Sequence, residues 1–389
     1  MNNHISQLKV FGNITNERVK VEKLNSLIRK DRKIDLEILD SFPLNTFGES
    51  TDEVLVDGSD DLLKAFEKIS DVKMDFTEAL KDIEYVGLTD EKEIILRFKN
   101  EEYGEPFNGT GIYDFTYDFL DSLFEMGRFS KFCIKNSYTD LLNDNISKLI
   151  DELPETKRQY RFLKKENKML LRGLTSTRYN NYDNNLALYL TLYSLHHYAK
   201  EYNTSICLQE AHLTDSEISI FFKQNDPIRI ANVGNLHFGM YTSNNEIREG
   251  TFSLELRYTL EDKNGKSFSG LSDSVFQINH SNGIENISRK LSNTTKIREI
   301  REITMNLIKN VKLSTSLTDD SIYFIFQKVL NSTQKLGSET RSKAREIKER
   351  IDNTMTIVEA FDKLKDISTN IDERIHLERL YNEILKELN

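Results

Sequence analysis

Tryptophan is missing from this 389-residue chain, and cysteine and proline are scarce, at two and four residues. Cys133 and Cys207 are too few and too far apart for a disulfide frame or a thiolate metal site. No apolar run approaches the ~20 residues that a membrane-spanning helix needs. Met1-Asn2-Asn3-His4 begins no basic, apolar and small-residue signal pattern. These absences predict a protein of the cytoplasm with no membrane among its partners. Charge, by contrast, is plentiful. Asp, Glu, Lys and Arg make up 30% of the chain and hydrophobic residues 38%, a balance that at this length predicts two or three soluble domains.

The net charge of −10 hides an uneven distribution. Residues 1–34 hold 8 basic and 3 acidic side chains, residues 35–125 hold 7 and 25, and residues 126–389 hold 38 and 35. A segment as acidic as 35–125 would be repelled by a phosphate backbone, so a nucleic-acid surface has to lie elsewhere. The same acidity suits a solvated module, a mimic of nucleic acid, or contact with a basic protein.

Residues 157–178 are the opposite. Lys157, Arg158, Arg161, Lys164, Lys165, Lys168, Arg172 and Arg178 stand against Glu166 alone, a net of +7, with Tyr160, Phe162, Tyr179 and Tyr182 interleaved. Cations beside aromatic faces suit single-stranded nucleic acid, where phosphates meet the charges and bases stack on the rings. The same pattern also describes a solvated helix face whose tyrosines belong to the core. Asp183 then reads as the N-cap of a helix over 184–201, with Leu186, Leu190, Tyr193 and His197 at helical spacing.

The stretch Leu171-Arg172-Gly173-Leu174-Thr175-Ser176-Thr177-Arg178-Tyr179, followed by Tyr182-Asp183-Asn184, resembles the "LRxxLSxRYxxxDN" signature of the phage/plasmid-like proteins grouped as domain of unknown function 932. Thr242-Ser243-Asn244-Asn245-Glu246 is similar to that family's "NSE" turn, and His280-Ser281-Asn282-Gly283 to its "CxNG" step. The likeness covers roughly residues 112–290. Thr177, Asn245 and His280 stand where the family usually has Asp, Ser and Cys. The resemblance implies a gene of a phage, plasmid or other mobile element, and no defined chemistry.

Periodicity divides the chain into a basic N-terminal helix within 1–34, an acidic α+β module over 35–111, an α+β core over 112–290 and a helical region over 291–389. The break falls at Gly104, Pro106, Gly109 and Gly111. Residues 83–88 and 93–98 predict a hairpin, 114–126 and 137–152 two helices, and Pro154 the start of a basic helix. Alternation in 206–222 and 252–280, with an Asn264-Gly265 turn, predicts an antiparallel sheet of about five strands covered by helices. The fold class expected is therefore α+β. No proline follows Pro227, and from Ile284 onward the period is helical, predicting an all-helical region that packs on itself or joins subunits into a homo-oligomer.

Catalytic constellations are not found. Gly265-Lys266-Ser267 resembles the end of a phosphate-binding loop, but Leu260 stands where that loop needs glycine. His196 and His197 read as packed helix residues, and no cofactor is implied. Three functions follow as expectations. The first is a non-enzymatic nucleic-acid-binding protein, single-stranded DNA favoured, using Lys164, Lys165, Lys168, Arg172 and Arg178 on phosphates and Tyr179 and Tyr182 on bases. The second is an interaction factor that inhibits or redirects a host defence system or host enzyme. The third is a metal-dependent nuclease built on Glu210, Asp215 and Glu217 around the first hairpin.

Overall fold

Apolar residues alternating with polar ones build two sheets, each with its own buried side and its own helices. The computed structural model describes residues 7–12, 17–99, 104–247, 251–280, 283–291, 294–311, 313 and 315–389. The N-terminal part contributes β1 (Gln7–Phe11), α1 (Lys33–Ser41), β2 (Val56–Asp57) and α2 (Ser59–Ile69). The basic helix expected within 1–34 is replaced by β1 and a 3-10 turn at Val21–Leu27. Its backbone bonds go outward instead, Val21 N to Asp52 O and Val54 N to Val19 O, so Val19, Val21, Leu24 and Leu27 are buried without an α-helix.

The smaller sheet is formed by β3 (Val72–Ala79), β4 (Ile83–Leu88), β5 (Ile94–Phe98), β6 (Phe107–Gly111), β7 (Lys157–Lys165) and β8 (Lys168–Thr175), in the order β3-β7-β8-β6-β5-β4. The predicted hairpin is β4–β5. Helices α3 (Phe115–Phe124), α4 (Gly127–Lys135) and α5 (Thr139–Glu152) cover one face of the sheet. Phe76, Phe98, Tyr160 and Phe162 form an aromatic nucleus there, with ring centroids 5.0–5.3 Å apart.

The basic helix expected after Pro154 is the β7–β8 hairpin. Tyr160 and Phe162 point to the helices while Arg161 points the other way, a period of two that a helix cannot satisfy. This hairpin also crosses the boundary expected at 111, because β8 pairs with β6 and β7 with β3. Residues 35–69 pack instead into the core of the larger sheet, through Ile38, Phe42, Phe47, Leu62 and Phe66. The acidic segment is thus shared between two cores.

Helix α6 (Asn184–Tyr202) follows, and is buried on almost every side from Leu186 to Leu192. It packs on the larger sheet, made by β9 (Ile206–Thr214), β10 (Glu217–Gln224), β11 (Ile228–Ile230), β12 (Gly234–Asn245), β13 (Thr251–Asp262) and β14 (Ser267–Asn279). The strand order is β1-β9-β10-β12-β13-β14, with β2 added to β9 and β11 to β12. Eight strands therefore stand where about five were expected. The fold is α+β, with two mostly antiparallel sheets covered by helices, each sheet holding one parallel pair, β2–β9 and β6–β8.

The helical region comprises α7 (Ile284–Leu291), α8 (Thr294–Asn310), α9 (Asp319–Asn331), α10 (Ser338–Lys348), α11 (Ile357–Leu364) and α12 (Ile371–Glu387). It packs onto the larger sheet rather than standing apart. Tyr381 of α12 stacks on Phe361 of α11 at 4.4 Å, and the Arg257 guanidinium in β13 makes two bonds to Glu378, at 2.7 and 2.8 Å. No helix among the described residues is long and apolar enough to cross a membrane.

Phe162 lies under Phe76, Phe98 and Phe107 with no exposed surface. Phe162→Ala should therefore lower the unfolding free energy by about 3–5 kcal/mol, read as a fall in the chemical denaturation midpoint.

Candidate functional site

The smaller sheet's free face meets α6 and the larger sheet through charge. Arg161 on β7 is fully buried. Its Nε donates to Asp75 Oδ1 at 2.9 Å, its Nη2 to Asp183 Oδ1 at 2.6 Å, and its Nη1 to the Glu246 carbonyl. Arg172 on β8, where the ladder shifts register beside Phe162, donates through Nη1 to Glu246 Oε2 at 2.5 Å. Glu246 Oε1 accepts from Lys73 Nζ at 2.6 Å and from the Asn184 amide at 2.8 Å. Asp183 Oδ2 takes Arg32 Nη1 at 2.6 Å, and Arg32 Nε lies 3.4 Å from Asp35 Oδ2. Four cations and four carboxylates thus share one largely buried cluster that joins β3, β7 and β8 to the start of α6 and the end of β12.

This arrangement changes the reading of Asp183. It stands at the N-cap of α6 as expected, but its side chain makes no capping bond. The Glu246 carboxylate, from another element, accepts the first free amide instead. Burial by itself would push the Asp183 carboxyl up, yet Arg161, Arg32, Arg172 and Lys73 together hold it well below the ordinary carboxylate value. Asp35, farther from the guanidiniums of the cluster, is pushed up, with burial outweighing Arg32. Burial likewise pulls the Lys73 ammonium down, against the opposing pull of Glu246.

The residues expected to bind nucleic acid are divided by the fold. Arg172 is 1% exposed and Tyr182 fully buried, so neither can reach a ligand at the surface; both are corrections to the expected contact set. Tyr179 is half-buried, its ring stacked on His280 at 4.6 Å and 6°. Its hydroxyl reaches the Glu246 carbonyl at 3.4 Å and the Arg161 guanidinium lies 5.7 Å from its ring centroid, so the ring is engaged within the network rather than presented to a base. Lys164 and Lys168 are exposed at the hairpin tip, Lys165 is half-buried beside them, and Arg178 is exposed beyond the far end of β8.

The stretches singled out by resemblance meet here. Arg172, Tyr179, Asp183, Asn184, Asn244, Glu246 and His280 all take part in one network: Asn244 Nδ2 donates to Tyr182 O and Asn184 Oδ1, and His280 Nδ1 faces Asn180 O at 3.2 Å. Ser281 and Asn282 lie outside the described residues. Sequence reasoning missed Lys73, Asp75, Arg32 and Asp35 as members of the cluster. One signal was present, since Arg161 sits between Tyr160, Phe162 and Leu163 in a strand-like run, where a cation is either an edge residue or a buried partner.

The carboxylates considered for metal binding are engaged elsewhere. Glu210 accepts from Lys9, Arg374 and His212 at 2.6–2.7 Å, Asp215 from the Tyr113 hydroxyl, and Glu217 from Asn245. Among the described residues, no group of three or more His, Cys, Asp or Glu side chains is arranged to hold a metal ion. His196 accepts the Leu55 amide through Nδ1 at 3.2 Å, and burial, chiefly, lowers its pKa to about 4. The Cys207 thiol is pushed up by burial.

Two polar grooves flank α12 where it crosses the larger sheet. One, of about 920 Å³, is bordered by Tyr241, Ser243, Ser253, His376 and Arg379. The other, of about 690 Å³, is bordered by Lys9, His212, Arg257, Lys365 and Arg374. Arg379 and Arg374 are already paired, with Glu255 at 2.7 Å and Glu210 at 2.6 Å. No protein-family model matches the chain, and no curated protein or solved structure matches it.

The cluster makes unequal demands on its two buried β7–β8 arginines. Arg161→Met strips Asp75 and Asp183 of a shared cation and should cost about 3–5 kcal/mol. Arg172 leaves Nε and Nη2 without acceptors, and Glu246 keeps Lys73 and the Asn184 amide without it. Arg172→Met should therefore cost less, about 1–3 kcal/mol, in urea unfolding.

The pH dependence follows from Asp183. A carboxylate held below its unfolded value adds stability that is complete above about pH 4 and is lost as pH falls toward its folded pKa. The melting temperature should drop below about pH 4, and Asp183→Asn, less stable at pH 7, should show a shallower drop over the same range.

Proposed function

We propose that this chain is a non-enzymatic nucleic-acid-binding protein of a phage or plasmid, related to the proteins grouped as domain of unknown function 932 and acting as an oligomer in the host cytoplasm. The family part rests on the meeting of the three resembling stretches in one buried network. That network ties down the signature's polar groups, so the signature reads as a device that joins two sheets rather than as a catalytic centre.

The observation that carries the binding part is the β7–β8 hairpin tip. Lys164 and Lys168 stand exposed there, beside the half-buried Lys165. Arg178 is a further exposed cation of the same segment. With Tyr182 buried and Tyr179 covered by His280, base stacking drops out of the reading and phosphate contact remains. Such binding is insensitive to sequence and steeply dependent on salt. The exposed acids of residues 35–125, such as Asp40, Glu49 and Glu67, favour a basic protein partner on that surface instead.

Fluorescence anisotropy with labelled single- and double-stranded DNA and RNA at two salt concentrations tests this. Binding should weaken as salt rises. Lys164→Ala/Lys165→Ala/Lys168→Ala, with its melting temperature little changed, should lose affinity and reduce the logarithmic salt slope by about 2 for single strands. No binding at low salt, or equal affinity in the triple variant, overturns the reading.

A further inference from the structure

The helices covering the smaller sheet leave three large apolar side chains in solvent at one corner. Phe132 in α4 is 54% exposed, Tyr138 just ahead of α5 is 51% exposed, and Leu141 in the first turn of α5 is 49% exposed. The Phe132 and Tyr138 rings meet at 5.8 Å between centroids. Leu153 follows the far end of α5, and the other exposed apolar residues, Phe11, Leu36, Val72, Val86, Ile303 and Tyr323, each sit on a different element. Single exposed apolar residues are ordinary; a contiguous group of them marks a contact surface.

Charge is sorted around this group. On α4, Arg128 stands one turn before Phe132 and Lys135 one turn after it, on the same side of the helix. On α5, Asp140 adjoins Leu141 and Asp144 follows it by one turn, and all four charged residues are exposed. Lys131 turns away, its ammonium 3.9 Å from the Tyr117 ring centroid. One side of the apolar group is therefore basic and the other acidic, with Lys148 a further turn beyond the acids.

We propose that this corner joins two copies of the chain about a two-fold axis. Phe132, Tyr138 and Leu141 of one copy face those of the other, and the basic rim of α4 lies on the acidic rim of the partner's α5. A two-fold interface must be self-complementary, and a surface carrying both signs beside an apolar centre is. A surface for an acidic or a basic ligand would carry one sign. The three side chains expose on the order of 300 Å² together, less than the ~800 Å² per partner of a standard interface. The rims supply the remainder, and the dimer is a concentration-dependent one. The proposal stands apart from the nucleic-acid reading, since the cations at the β7–β8 tip take no part in it.

Sedimentation velocity of the full chain from about 1 to 200 µM tests it. The expected result is a shift from monomer to dimer that Leu141→Asp abolishes. Arg128→Glu/Lys135→Glu and Asp140→Lys/Asp144→Lys should each weaken self-association by about tenfold or more, because like-charged rims then face each other. An equimolar mixture of these two variants should restore a dimer, since each acidic rim then meets a basic one. That recovery also shows that both variants are folded. A wild-type monomer at the highest concentration, a dimer indifferent to Leu141→Asp, or a mixture that stays monomeric each overturns the proposal.

Discussion

Moving a charge out of water costs several kcal/mol, and the architecture of this protein turns on having done so with eight side chains at one place. Arg32, Lys73, Arg161 and Arg172 balance Asp35, Asp75, Asp183 and Glu246. Each is tolerable there only because its partners arrive from other elements. Seated elsewhere, the smaller sheet's free face would part Arg161 and Arg172 from the carboxylates that neutralise them across the join, Asp183 and Glu246. The cluster therefore sets how β7–β8 lies against α6 and β12, and its neutrality makes the join specific rather than merely adhesive.

That constraint also explains the segment ahead of α6. An aspartate before a helix is ordinarily a cap, and here the position is right while the task has moved. Asp183 is held by two guanidiniums, and Glu246 accepts the amide of Asn184, the first residue of the helix. The helix beyond is apolar on nearly every side because it lies between the larger sheet and the N-terminal residues, with Tyr189 donating to the Phe42 carbonyl.

The basic-aromatic run at 157–178 shows how composition misleads when the period is overlooked. Eight cations against one acid read as a single positive surface. In a strand, neighbours face opposite ways, so Tyr160 and Phe162 go to one core, Arg161 to the charged cluster, and only the tip and the ends keep cations in solvent. The acidic run at 35–125 is divided in a similar manner between two cores, so that its charge density belongs to no single module.

Local pattern alone settled the α+β class, the β4–β5 hairpin, the α6 helix, the long strands of 252–280 and the helical run after residue 284. Each depends on spacing within a dozen residues, which the chain carries by itself. The pairing of β6 with β8, the splitting of the acidic segment, the burial of Arg172 and Tyr182 and the assembly of the charged cluster depend on residues as far as 173 positions apart, as Lys73 and Glu246 are. No local periodicity records such partners, because a buried ion is stable only where the folded chain supplies its counterion.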